Sequence, residues 1–82
     1  MNEMASEKTI SKEIDDKVTF MTFIITKFAR AYKMSSQQAY LYLKQYGGVD
    51  FLGRHWWALH TDNPFWSIRD LYEVCNDKGG AR

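Results

Sequence analysis

The chain has 82 residues, 45% of them hydrophobic and 16% aromatic, with one cysteine and a net charge of +1. A chain of this length makes a single domain that buries only about 60–65% of its unfolded surface, so each large apolar side chain counts. That composition excludes a wholly disordered chain, and one cysteine excludes an internal disulfide framework and fits a reducing, cytoplasmic setting. The charge is uneven: residues 1–19 carry five acids against three bases (−2), residues 20–60 five bases against one acid (+4), and residues 61–82 three bases against four acids (−1). This middle is far from the clustered Lys/Arg of a typical nucleic-acid binder. The opening MNEMASEKTISKE is polar and reads as neither a signal peptide nor a lipidation site, and Lys27 interrupts FMTFIITKFA well short of a membrane span.

A flexible segment is expected over 1–9, a single helical domain over 10–77 and a flexible tail over 78–82. Ser11 reads as the cap of a first helix, with Glu13, Asp15 and Asp16 placed to favour the positive end of its dipole. Ile14, Val18, Met21, Ile25, Phe28 and Tyr32 recur at spacings of four and three, one apolar stripe on a helix of about 20 residues. Phe20, Phe23 and Ile24 widen that stripe past half the circumference. This is the expected central element.

Ser35 with Gln38 three residues on has the spacing of a capping box, predicting a second helix that buries Ala39, Leu43 and Tyr46 and stops at Gly47-Gly48. Asp50 reads as the cap of a third helix over about Phe51 to His60, burying Leu52, Trp56 and Leu59. Pro64 then reads as a break that holds Asn63 extended, with Phe65 and Trp66 lying extended across the bundle. Ser67 reads as the cap of a short last helix with Ile68, Leu71, Tyr72 and Cys75 on one face. The expected class is all-α, a bundle of about four helices with a long central first helix and a short last one.

The run FMTFIITKFARAYKMSSQQAYLYLKQYGGVDFLGRHWWALHT with the closing SIRDLYE resembles a family of small bacterial proteins catalogued as a domain of unknown function. The resemblance rests on the aromatic first helix, on Ser35, Ala39, Tyr40, Leu43, Tyr46 and Gly47, on Asp50-Phe51-Leu52 and on Leu59-His60-Thr61. It implies a fold without strands and a bacterial cytoplasmic protein. Members are often encoded beside proteins of the ADP-ribosyltransferase-like toxin type, which implies an antitoxin or accessory role. No functional residues come with the resemblance, and the pair Trp56-Trp57 lies outside the shared pattern.

Read for chemistry, the chain offers little. His55 and His60 are five apart, about 140° round a helix, and do not chelate as an i, i+4 pair does; only a bend at Thr61 would bring His60 to Asp62. Cys75 lies on an apolar face with no nucleophile elbow near it, and there is no phosphate-cradling glycine loop. No enzyme, metal or cofactor is expected. The Gly47-Gly48-Val49 connection has the length of a helix-turn-helix, so a DNA-binding regulator is the alternative, with Lys27, Arg30, Lys33 and Lys44 available for phosphates. Its recognition helix, however, offers Arg54 and His55 among mostly apolar residues.

Adjacent helical residues point about 100° apart, so a core-facing Trp56 leaves Trp57 at the edge or outside. Either Phe65 and Trp66 fold over Trp57 and complete the core, or Trp57, Phe65 and Trp66 form an exposed patch of the residue types that dominate interface hot spots, with Arg54 as a polar anchor at its rim. The second reading makes Arg54, Trp57, Phe65 and Trp66 the candidate partner-binding residues of a protein–protein interaction module, for a partner protein or for self-association.

Overall fold

A computed structural model of the chain describes residues 2–80, with side chains from residue 12 onward. Four helices follow one another: α1 (Asn2–Ala31), α2 (Ser36–Gln45), α3 (Gly48–Leu59) and α4 (Pro64–Asp77). The described residues form no strand, and no described helix is long and apolar enough to cross a membrane. The all-α bundle is as expected.

The first helix is longer than its pattern suggested. It runs 30 residues, about 45 Å, because nothing between Asn2 and Ala31 is a glycine or proline that would stop it. Its backbone passes straight through Ser11, which is therefore not where the helix starts. The molecule measures 51 × 23 × 22 Å, so α1 reaches well past its partners of 10, 12 and 14 residues. Ile24 and Phe28 are fully buried, whereas Ile14 and Val18, on the same stripe, are each 56% exposed. Periodicity marks a face, but only neighbouring helices bury it.

α1 closes at Lys33, whose φ of 56° is left-handed; its N–H bonds the Arg30 carbonyl at 3.3 Å and the Met34 N–H bonds that of Ala29 at 2.8 Å. This pairing satisfies carbonyls a helix end leaves free. At the start of α2 the capping box is complete: Ser35 Oγ accepts from the Gln38 N–H at 3.1 Å and the Gln38 side chain accepts from the Ser35 N–H at 2.9 Å. α2 buries Ala39 and Leu43 and ends at Gly47, whose φ of 84° suits only glycine comfortably. Gly47 also caps α3, so that helix begins before Asp50, which sits in its first turn instead.

Pro64 opens the last helix rather than breaking the chain. Proline needs no N–H at the first helical position, and Asn63, extended at φ −66° and ψ 129°, caps the helix by accepting the Phe65 N–H at 2.9 Å. Phe65 and Trp66 are thus helical, not extended across the bundle. Ser67 is a buried position within α4 rather than its cap, which makes that helix 14 residues long instead of short.

Ile24, Phe28, Ala29, Ala39, Leu43, Leu52, Leu71 and Cys75 make the core. A run of rings borders it: Tyr72 stacks on Tyr32 at 5.3 Å, Tyr32 meets Phe28 at 4.7 Å, Phe28 meets Tyr42 at 6.0 Å and Tyr42 meets Tyr46 at 5.1 Å. These contacts tie α4 to α1 and α1 to α2. Part of the aromatic surplus is therefore structural. The Tyr42 hydroxyl donates to the Gly80 carbonyl, and the Gly80 N–H bonds the Cys75 carbonyl at 2.8 Å, which folds residues 78–80 of the expected tail back against the bundle. The last two residues of that tail lie outside the described residues.

Candidate functional site

The remaining aromatic residues lie on the outside. α3 turns Leu52 fully into the core and leaves Trp56 half-buried; the next residue, 100° further round, has nowhere to go but outward, and Trp57 is 65% exposed. It is nonetheless held in place. His60 caps the end of α3, its Nδ1 lying 2.6 Å from the Trp57 carbonyl and 3.2 Å from that of Trp56. Because a carbonyl only accepts, this ring nitrogen carries the proton.

The imidazole also packs on both indoles, 5.2 Å from Trp56 and 5.1 Å from Trp57, and meets the Phe20 ring of α1 at 6.4 Å, edge to face. The two indoles are perpendicular at 5.4 Å. Thr61 Oγ donates to the Ala58 carbonyl at 3.0 Å and tightens the same turn. His60, which the sequence offered as a ligand or as a residue that caps or orders the turn, does cap α3 and is also the centre of the cluster. Its spacing of three and four from the two tryptophans was the available signal.

Arg54, one turn before, pairs with Asp50 at 3.1 Å, both exposed. Such a pair contributes little to stability. Beyond the turn, Phe65 is 63% and Trp66 46% exposed, their rings perpendicular at 5.3 Å, with the Arg69 guanidinium 5.7 Å over Trp66 and 3.4 Å from Glu73. Among the described residues no ring contact joins Trp57 to Phe65 or Trp66. The four candidate residues thus form two exposed clusters, one ending α3 and one opening α4, on either side of Thr61–Asn63. The reading in which Phe65 and Trp66 seal Trp57 into the core does not hold, because Pro64 starts a helix that carries them away.

The other constellations stay dispersed. His55 packs on Phe51 at 4.9 Å, and the Asp62 carboxylate accepts the Asn63 N–H at 2.8 Å instead of meeting His60. Among the described residues no three His, Cys, Asp or Glu side chains gather where one metal ion could be held. Cys75 is fully buried against Gly48. Burial pushes its thiol up, opposed in part by the Gly48 N–H and by Lys78. A thiol held protonated in this way is a poor nucleophile.

A family model matches residues 19–78, from the part of α1 inside the bundle to just past α4. The chain belongs to that family, DUF3791, described as a protein of unknown function. The DUF3791 match includes Arg54, Trp57, Phe65 and Trp66 and leaves out the first 18 residues. No curated protein and no solved structure matches the chain.

Proposed function

We propose that this chain is a non-enzymatic, cytoplasmic bacterial module that works by holding a partner protein on the aromatic end of α3. One observation carries the reading: an indole 65% exposed to water, on a regular helix, already fixed by the His60 cap. A rigid exposed tryptophan offers a large apolar contact whose ordering has been met in advance, which is what an interface anchor needs. Trp56 and His60 support it, Arg54 stands at its rim, and Phe65 and Trp66 extend the apolar surface beyond the turn.

The partner that the resemblance implies is a co-encoded enzyme of the ADP-ribosyltransferase-like toxin type, which would make this chain an antitoxin or accessory subunit. The alternative, an operator-DNA reader working through α3, is less well supported. Asp50 sits in the first turn of that helix, where phosphate would otherwise be welcomed, and Arg54 is engaged with it.

The test is co-expression with the product of the adjacent gene, weighing the purified complex by light scattering. The reading expects a stoichiometric complex that Trp57→Ala dissolves while the domain stays helical. A complex indifferent to Trp57→Ala would move the interface elsewhere, and no complex would remove this partner.

A further inference from the structure

Residues 17–49, which take in the second half of α1 and all of α2, carry five bases and no acid. Within that stretch an open groove of about 510 Å³ runs along α2 from Gln38 to Tyr46, beside Lys33 and Met34 of the α1–α2 connection. Lys33 is the one charged residue among the described residues that line it, and no carboxylate of the described residues pairs with it. The Gln38 side-chain oxygen is taken by the Ser35 N–H at 2.9 Å, so its NH2 group is the end it has left to offer. Leu41, 55% exposed, gives the groove an apolar edge. Lys44, three residues on, stands next to Leu41 on the helix surface, exposed and with no carboxylate partner among the described residues. The groove therefore joins an apolar edge to two unpaired bases, with no acid in its lining.

We propose that this groove holds an acidic segment of a partner protein, its carboxylates against Lys33 and Lys44 and an apolar side chain between them on Leu41 and Met34. The helix from Gln38 to Tyr46 is about 12 Å long, which three or four extended residues span. A single-stranded nucleic acid is also anionic, but it gains its affinity by stacking bases on free rings. The rings here are engaged. Tyr42 meets Phe28 at 6.0 Å and Tyr46 at 5.1 Å, and Gly80 lies so close to Tyr46 that an added Cβ would stand 2.6 Å from its ring. One lysine in the lining also neutralises few phosphates, whereas a single carboxylate needs only one such partner. Leu41 and Met34, finally, offer an apolar contact that a phosphate backbone does not use. The groove shares no residue with the aromatic end of α3, so the proposal stands apart from the Trp57 reading.

The test is fluorescence anisotropy of two labelled probes titrated with the full chain at low and high salt: a peptide with two glutamates to each leucine, and an oligothymidylate of the same length. The expected result is saturable binding of the peptide that weakens as salt rises, with the oligonucleotide bound less tightly. Lys33→Glu with Lys44→Glu, and separately Leu41→Glu, each weaken peptide binding at least about tenfold with helical content unchanged, since all three positions are exposed. Trp57→Ala leaves it intact. No saturable binding of the peptide overturns the proposal and leaves the Trp57 reading untouched. Tighter binding of the oligonucleotide overturns it in favour of nucleic acid. Peptide binding that ignores both groove variants, or that is lost on Trp57→Ala, overturns it by placing the contact elsewhere.

Discussion

The Nδ1 of His60 lies 2.6 Å from the carbonyl oxygen of Trp57, and the rings of the same two residues pack at 5.1 Å, so one side chain both closes α3 and props its exposed indole. The two roles separate on mutation. Trp57→Ala removes a side chain that is mostly in water, and its effect on stability is expected within about 0.5 kcal/mol by urea denaturation. Its effect on partner affinity is expected at about 2 kcal/mol or more by calorimetry. Leu52→Ala, by contrast, empties a fully buried site and is expected to cost about 2–5 kcal/mol. Equal losses for the two variants would mean that Trp57 is part of the core.

Ser67 is fully buried in α4 and its hydroxyl has no hydrogen-bond partner among the described residues. A hydroxyl taken out of water without compensation costs about 1–3 kcal/mol, and alanine is the better helix former. Ser67→Ala is therefore expected to stabilise the domain by about 1 kcal/mol, raising the urea midpoint without changing the slope. A loss of stability instead would show that the hydroxyl is hydrogen-bonded in solution.

Local chemistry was legible in the sequence, and long-range geometry was not. The Ser35–Gln38 capping box and the Gly47 stop read correctly because each is settled within four residues of chain. The start of α4 did not, since Pro64 signals a break as readily as a first helical position, and Ser67 offered a competing cap. What decided between them was Asn63, whose side chain accepts the Phe65 N–H. That Trp57 points away from Trp56 followed from a 100° rotation, but whether Phe65 and Trp66 covered it was open in the sequence and was decided by Pro64 starting a helix. Ile14 and Val18 are the opposite case, correct in periodicity and wrong in burial, because no local signal tells how far the shorter helices reach. In the Tyr72–Tyr32–Phe28–Tyr42–Tyr46 run the pairs Phe28–Tyr32 and Tyr42–Tyr46 have the spacing of four that a helix brings together, whereas Tyr72–Tyr32 and Phe28–Tyr42 join residues up to 40 positions apart and left no trace in spacing.

Gly48 begins α3 against the core, where an added Cβ would lie 2.7 Å from Leu43 Cδ2 and 3.2 Å from Cys75 Sγ. Neither neighbour has room to retreat, as both are fully buried. Gly48→Ala is expected to destabilise by about 1–3 kcal/mol through overpacking, despite alanine's better helix propensity. Lys33→Gly should do the reverse, since lysine holds a left-handed φ of 56° that glycine adopts without steric cost. A gain of about 1 kcal/mol in a denaturant melt is expected there, and a loss would mean that the lysine stem packs usefully on its neighbours.

The Cys75 thiol gives the fold an alkaline limit. Burial raises its pKa, so the native state holds this proton more tightly than the unfolded chain does. Stability is then fully present below the unfolded thiol's pKa, about 8.5, and falls as pH rises from there towards the folded value, at up to about 1.4 kcal/mol per pH unit. Tyr32, raised by burial and then by neighbouring Tyr72, adds the same sign of dependence above its ordinary value near 10. Urea melts across this range should show stability level near neutrality and declining above the thiol's ordinary pKa. Cys75→Ala lowers stability throughout through lost packing, so the comparison is of slopes: its decline should begin only where Tyr32 titrates. A variant that keeps the wild-type slope between those two values would show that the thiol is not what the fold protects.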